Sequence, residues 1–121
     1  MMLEVLKSKI HRATITHADV NYEGSITIDK TILDAAQLFE NEKVHIWNVT
    51  NGHRLMTYVM TPAEAGSGIV CINGAAAHHM KVGDIIIIAS FCYIDKKVIK
   101  KHKPIKVIVG KKNAIQTIKH T

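Results

Sequence analysis

The sequence predicts a single, mainly β domain of the small closed or nearly closed barrel type. Its 121 residues suit one domain with a core of its own. Short β-branched runs alternate with turn residues, and only one segment has a clear helical pattern. Closure into a barrel removes the unpaired edges that many short strands would otherwise expose.

The predicted strands are short and rich in isoleucine, valine and threonine. They cover residues 10–16, 26–28, 44–49, 53–60, 69–72, 85–93 and 105–109. Asn51 and Gly52 suit the positive φ angles of a tight hairpin turn between two of these strands. Residues 61–68 are expected to form a loop, and residues 81–84 a turn.

Residues 29–39 carry the helical pattern. Asp29 or Thr31 can cap the N-terminus of this helix. Its apolar side chains fall near one face, and they are Ile32, Leu33, Ala36 and Phe39.

Positive charge is concentrated at the C-terminal end of the chain. The formal net charge is +6, yet residues 1–95 contribute −3, whereas residues 96–121 hold nine lysines and no acidic residue. Such a run can contact nucleic acid. We favour the alternative, a solvated lysine face that keeps the protein soluble.

No export signal or membrane helix is predicted. Glu4 and Lys7 interrupt the region in which a signal peptide has its apolar core. The longest apolar run, residues 85–94, is shorter than the ~20 residues of a membrane helix. We therefore expect a cytoplasmic protein in which Cys71 and Cys92 are reduced core thiols.

Generic motifs for metal or nucleotide chemistry are missing. The sequence has no Cys-x-x-Cys pair, glycine-rich phosphate loop or Gly-x-Ser-x-Gly turn. Its histidines are scattered, and His78 and His79 are adjacent rather than spaced along one face. No metal site is predicted.

The stretch from Lys9 to Ser25 is the most informative part of the chain. It resembles the N-terminal signature of the aspartate 1-decarboxylases, a pyruvoyl-dependent family whose members cut their own chain. Further matching pieces follow in the family's order and near its spacing, at residues 33–36, 40–42, 47–52, 54, 57–58, 73–77, 82–84 and 87–91. So many pieces in register are hard to explain by chance.

The resemblance implies self-cleavage between Gly24 and Ser25, into a small chain 1–24 and a large chain 25–121. The Ser25 hydroxyl would attack the Gly24 carbonyl, and the resulting ester would eliminate to a dehydroalanine that hydrolyses to a pyruvoyl group. A serine without a base is a poor nucleophile, so the fold must strain the peptide and stabilise the oxyanion. Taken alone, this glycine–serine pair would be an ordinary turn.

The resemblance also implies which residues assist the cleavage. Thr57 would donate a hydrogen bond at the Gly24 carbonyl, with support from His11, Tyr22 and Asn73. Thr57 and Tyr58 are neighbours on a predicted strand and would face opposite ways. The two side chains could still share one pocket if the strand were locally irregular or if two subunits each contributed one of them.

The implied reaction removes the α-carboxylate of L-aspartate and gives β-alanine, a precursor for pantothenate, and carbon dioxide. The pyruvoyl ketone would react with the substrate amine and act as the electron sink. Tyr58 would donate the proton, and Lys9 and Arg54 would bind the carboxylates. The backbone of Gly74, Ala75 and Ala76 and the Thr57 hydroxyl would line the substrate pocket. Without the resemblance, the two cations would be ordinary surface residues.

The fold and assembly implied by the resemblance are a double-psi β-barrel with one or more short helices and a homotetramer with active sites between subunits. After Tyr93 the match thins, and residues 96–101 replace an acidic segment common in the family. Contact with an accessory maturation protein through that segment is therefore in doubt. We hypothesise that the lysine-rich tail raises the local concentration of anionic substrate.

Two other interpretations remain open. A non-enzymatic small β-barrel that binds nucleic acid would explain the basic tail but not the match from Lys9 to Phe91. A catalytically inactive family member would keep the barrel only for assembly, and intact Ser25, Thr57 and Tyr58 argue against it.

Overall fold

The computed structural model describes all residues from 1 to 121. Its strands are β1 (Met2–Thr14), β2 (His17–Asp19), β3 (Ile26–Ile28), β4 (Lys43–Asn48), β5 (Arg54–Tyr58), β6 (Val70–Asn73), β7 (Ile85–Asp95), β8 (Ile105–Val109) and β9 (Ile115–His120). The helix α1 covers Lys30–Ala36, and three short 3-10 segments cover Gly74–His78, Lys96–Lys101 and Lys111–Asn113. The predicted mainly β class is confirmed, and the strands are consistent with a barrel. None of the helices has the length and apolar character needed to span a bilayer.

The strands form a six-stranded sheet in the order β5-β4-β7-β1-β8-β9 and a three-stranded sheet in the order β2-β6-β3. Strand β1 is the long member of the larger sheet, antiparallel to β7 and parallel to β8. Two register shifts interrupt its pairing with β7. Such bulges increase local twist, which helps a long strand to bend around a core.

One face of the six-stranded sheet is the core face. Ile10, Ile88, Ile46 and Leu55 lie side by side in register across β1, β7, β4 and β5, and the three isoleucines are fully buried. Because side chains alternate along a strand, the residues on either side of this row point to the outer face. That face is the one on which several predicted site residues lie.

Two predicted boundaries differ from the structure, and two strands were not predicted. Strand β1 begins at Met2 rather than at residue 10, and β2 and β9 were not predicted. Helix α1 ends at Ala36 because Gln37 takes a left-handed φ of 53°. Phe39 therefore lies beyond the helix and is exposed, with the Lys7 ammonium 5.3 Å from its ring centre.

The turn between β4 and β5 is also longer than predicted. Five residues join the strands, and of the predicted pair only Gly52 has a positive φ, of 82°. The side chain of buried Asn48 accepts hydrogen bonds from the N–H groups of Thr50 and Asn51. This side-chain turn replaces the tight two-residue hairpin. Cys71 and Cys92 are free thiols, but both are partly exposed rather than in the core.

A buried carboxylate anchors the loop that follows β5. Asp29 is 3% exposed, and its side chain accepts from the N–H of Thr31, as predicted for a helix cap. The same carboxylate also accepts from the N–H groups of Gly66 and Gly68 at 2.9 and 2.8 Å. One side chain therefore joins the start of α1 to the 61–68 loop.

Replacing this carboxylate should cost considerable stability. Asp29→Ala removes the cap and leaves two further N–H donors without their partner, which we expect to lower the free energy of unfolding by about 3 kcal/mol. Urea denaturation measures the change. The matched control is Asp34→Ala, which removes an exposed pair with Lys30 and should cost less than about 0.5 kcal/mol. Equal losses in both variants would contradict the anchoring role.

Candidate active site

The backbone at Ser25 is held between β5 and β6. Ser25 is 3% exposed, and its Oγ accepts a hydrogen bond from the backbone N–H of Tyr58 at 3.2 Å. The carbonyl oxygen of Ser25 accepts from the backbone N–H of Asn73 at 2.8 Å. Both contacts fix the serine that was predicted to be the nucleophile.

Gly24 has a conformation and surroundings that suit only glycine. Its φ is +118°, and a Cβ built on it would lie 2.5 Å from Cε of Met60. Gly74 has a φ of +65°, and a Cβ there would lie 3.0 Å from the carbonyl oxygen of Gly24. Gly74 therefore lets the two backbones approach each other at the predicted cleavage position, and the positive φ of Gly24 suits a residue without a Cβ.

Two cavities flank Gly24. The first, of about 370 Å³, is lined by Leu55, Met56, Thr57, Asn73, Ala75, Ala76 and His79. The second, of about 480 Å³, is lined by Asn21, Tyr22, Glu23, Tyr58 and Met60. The structure thus brings together around one glycine most of the residues that were predicted to act in cleavage and in substrate binding.

Thr57 and Tyr58 lie on opposite sides of Gly24. The register between β4 and β5 has no shift, so β5 is regular and its neighbouring side chains alternate. Thr57 is paired with fully buried Val44 on the inner side, whereas Tyr58 is 44% exposed. Each lines a different cavity beside the same glycine, so this chain needs no local irregularity to bring both residues to Gly24.

Lys9, His11 and Arg54 lie elsewhere, on the outer face of the six-stranded sheet. His11, Ile87, Trp47 and Arg54 form one row in register across β1, β7, β4 and β5. The Arg54 guanidinium stacks 4.6 Å above the Trp47 ring centre, a cation–π contact. None of the three predicted residues lines either cavity beside Gly24.

Tyr58 connects the two places. It follows Arg54 by four residues on β5, so both side chains point to the outer face. At the same time its backbone N–H contacts Ser25. The outer sheet face therefore ends next to the buried serine.

The chain is similar in sequence to known proteins. Residues 1–116 match the sequence profile of a family described as aspartate decarboxylase. The chain belongs to the aspartate decarboxylase family. The predicted family and the prediction of an enzyme are thereby confirmed.

Named relatives cover nearly the whole chain. The aspartate 1-decarboxylase of Myxococcus xanthus is 53% identical over 111 residues, which are 92% of this chain and 85% of the relative. The aspartate 1-decarboxylase of Xanthomonas oryzae pv. oryzae is 52% identical over 121 residues, which are 100% and 95%. The aspartate 1-decarboxylase of Xylella fastidiosa is 50% identical over 121 residues, which are 100% of this chain and 95% of the relative.

Within this aspartate decarboxylase family member, His11 lies in an environment that opposes its charge. Burial lowers the pKa of its imidazole, and the nearby charges of Lys9 and Arg12 lower it further. Its Nδ1 is buried and has no hydrogen-bond partner. These surroundings therefore favour the neutral form of the ring.

The cavities also include residues that sequence reasoning did not select. Met60 packs against Gly24, while Leu55, Met56 and His79 line the first cavity. Their residue types carry no specific chemical signal, since apolar strand residues and isolated histidines occur throughout the chain. Only the fold reveals their position.

The largest cavity, of about 690 Å³, does not include the predicted cleavage position. It shares Tyr22 and Asn73 with the cavities beside Gly24, and its lining also includes His17, Asp19 and Cys71, but neither Gly24 nor Tyr58. Burial raises the pKa of the Cys71 thiol, and the charge of Asp19 raises it further. A protonated thiol is a weak nucleophile, so Cys71 does not make this cavity a second candidate site.

The charge around His11 makes a testable prediction. In an NMR titration the His11 ring should titrate below its ordinary pKa of 6.5, and Lys9→Gln should move the midpoint upward because it removes one repelling charge. The unfolded chain binds the proton first as the pH falls. The stability contributed by neutral His11 is therefore complete above pH 6.5 and is lost as the pH falls through the lowered pKa. An unchanged midpoint in Lys9→Gln would contradict the proximity of the two side chains.

Proposed function

We propose that the chain matures by cutting itself between Gly24 and Ser25 and then decarboxylates L-aspartate at the α-carboxylate, giving β-alanine and carbon dioxide. The observation that carries the proposal is the buried Ser25 hydroxyl, held by the Tyr58 N–H next to a glycine with a φ of +118°. A turn serine in an ordinary loop would be solvated. Here both the hydroxyl and the carbonyl of Ser25 are fixed by the sheet.

The proposed maturation converts one peptide bond. The Ser25 oxygen attacks the carbonyl carbon of Gly24, and the hydroxyl proton passes to the Ser25 nitrogen as the amide becomes an ester. Loss of the Ser25 α-proton then expels the Gly24 carboxylate and leaves a dehydroalanine. One water hydrolyses this residue to a pyruvoyl group and releases ammonia.

The surroundings of Gly24 suit the first of these steps. Thr57 lines the cavity on one side of Gly24, from which its hydroxyl can donate to the developing oxyanion. The close approach of Gly74 to the Gly24 carbonyl oxygen restricts how that carbonyl can move. Preorganised contacts of this kind favour attack by a hydroxyl that has no hydrogen bond to a side-chain base.

The position of Ser25 also suits a pyruvoyl group. Its carbonyl is held by Asn73, and the small side chains of Ala75 and Ala76 leave the first cavity open beside it. When present, the group supplies the electron sink for loss of carbon dioxide. Tyr58 lines the second cavity, where its phenol can deliver a proton at the end of the reaction.

The proposed cationic partners of the substrate require a second subunit. Arg54 and Lys9 lie on the outer sheet face, and neither lines the two cavities beside Gly24 in their own chain. That face exposes large apolar groups, with Met56 62% and Phe91 36% accessible, which is typical of an interaction surface. We therefore propose a homo-oligomer, as expected a homotetramer, in which a neighbour's outer face supplies the cations.

The product would supply pantothenate and thus coenzyme A synthesis, and we place the reaction in the cytoplasm. The two free thiols, Cys71 and Cys92, suit a reducing compartment.

Two variants separate maturation from catalysis. Thr57→Ala should slow cleavage, because it removes the hydroxyl beside Gly24. Tyr58→Phe keeps the backbone N–H that contacts Ser25, so its chain should be cut normally while decarboxylation falls by roughly 10²–10⁴-fold. Gel electrophoresis follows the cut, and release of carbon dioxide from L-aspartate follows the reaction.

The matched controls are Thr117→Ala and Tyr93→Phe, which remove the same groups from exposed positions outside both cavities. Neither control should change cleavage or turnover. A Tyr58→Phe enzyme with the full rate would exclude Tyr58 as the proton donor, and normal cleavage in Thr57→Ala would exclude the role of that hydroxyl.

A further inference from the structure

Three lysines lie side by side on the outer face of the six-stranded sheet. Lys9 on β1 is paired in register with Lys106 on β8, and Lys106 is paired with Lys119 on β9. Residues directly opposite in register share a face of the sheet. Neighbouring strands are about 4.8 Å apart, so the three side chains leave the sheet in one continuous row.

The burial pattern places this row on the outer face. Ile105 and Val107, on either side of Lys106, are in the core, as is Ile10 next to Lys9. Lys9 and Lys106 are half-buried and Lys119 is exposed. Their aliphatic stems therefore lie along the sheet while the ammonium groups reach solvent.

No acidic side chain neutralises the row. The structure contains two salt bridges, Lys7–Glu42 and Lys30–Asp34, and neither involves these lysines. The continuation of the row beyond Lys9 is Ala89 and His45, and residues 96–121 contain no acid. Like charges directly opposite one another destabilise a sheet, so an anion bound across the row would relieve a repulsion.

We propose that Lys9, Lys106 and Lys119 form one dicarboxylate-binding row, and that Lys106 and Lys119 help to select the dicarboxylate substrate. A four-carbon dicarboxylate carries two anionic groups that can bridge lysines on neighbouring strands, whereas a monocarboxylate contacts only one. The row captures substrate next to Lys9, the residue proposed above to bind a substrate carboxylate. The identity of the natural ligand, L-aspartate, rests on the proposed function. The binding of a dicarboxylate by the row does not.

The chain offers a matched control for total charge. Lys96 and Lys97 carry the same charge and are exposed, but they follow Asp95, whose β1 partner is Met2. Lys9 follows Met2 by seven positions on β1, a distance of about 23 Å. That exceeds the Debye length of about 8 Å at physiological salt, so these lysines should not affect an anion bound at the row.

The test is a calorimetric titration of the full-length Ser25→Ala chain with succinate, a dicarboxylate without an amine, at constant ionic strength. Lys106→Gln/Lys119→Gln should weaken succinate binding about three- to tenfold, the range expected for two exposed ion pairs. Lys96→Gln/Lys97→Gln should leave it unchanged. Butyrate should bind more weakly than succinate and should lose less affinity in Lys106→Gln/Lys119→Gln than succinate does.

In the cut enzyme the same Lys106→Gln/Lys119→Gln pair should raise KM for L-aspartate by a similar factor and leave kcat unchanged. If both lysine pairs changed the affinity for succinate equally, or if succinate bound no more tightly than butyrate, the proposed dicarboxylate-binding row would be wrong. If the wild-type chain is never cut, the proposed function fails, but the succinate titration still decides whether the row exists.

Discussion

The hydrogen bonds that hold Ser25 between β5 and β6 are the constraint on which the candidate site depends. They are made by backbone N–H groups of Tyr58 and Asn73, which belong to consecutive strands in two different sheets. Backbone donors inside a sheet cannot rotate away, so the serine is fixed before any chemistry begins. The fold therefore supplies the positioning that a flexible turn would lack.

The site is divided between two environments. The part around Gly24 combines the buried Ser25 with fixed backbone amides, which suits the proposed bond cleavage. The outer sheet face has the cations and aromatic rings, among them Arg54 stacked on Trp47. Tyr58 belongs to both, since its backbone contacts Ser25 and its side chain points outward. A second subunit placed against this face would complete the set of groups that a dicarboxylate needs.

Much of this organisation could be predicted from the sequence, but not all. The β8 strand, the helix cap at Asp29 and the 61–68 loop follow from local patterns, because β-branched runs and capping residues act over a few positions. The start of β1 at Met2 and the pairing of Lys9 with Lys106 depend on tertiary register. Met60 beside Gly24 likewise has no local signal, because its role arises only when distant strands meet.

The central claim is that the chain cuts itself at Gly24–Ser25, and an intact mass spectrum under denaturing conditions tests it most directly. From a mass of 13.4 kDa, cleavage predicts pieces of about 2.7 and 10.7 kDa, the larger about 17 Da lighter than a serine N-terminus requires. Ser25→Ala should remain at full length. A wild-type chain that is still whole after prolonged warming would contradict the account.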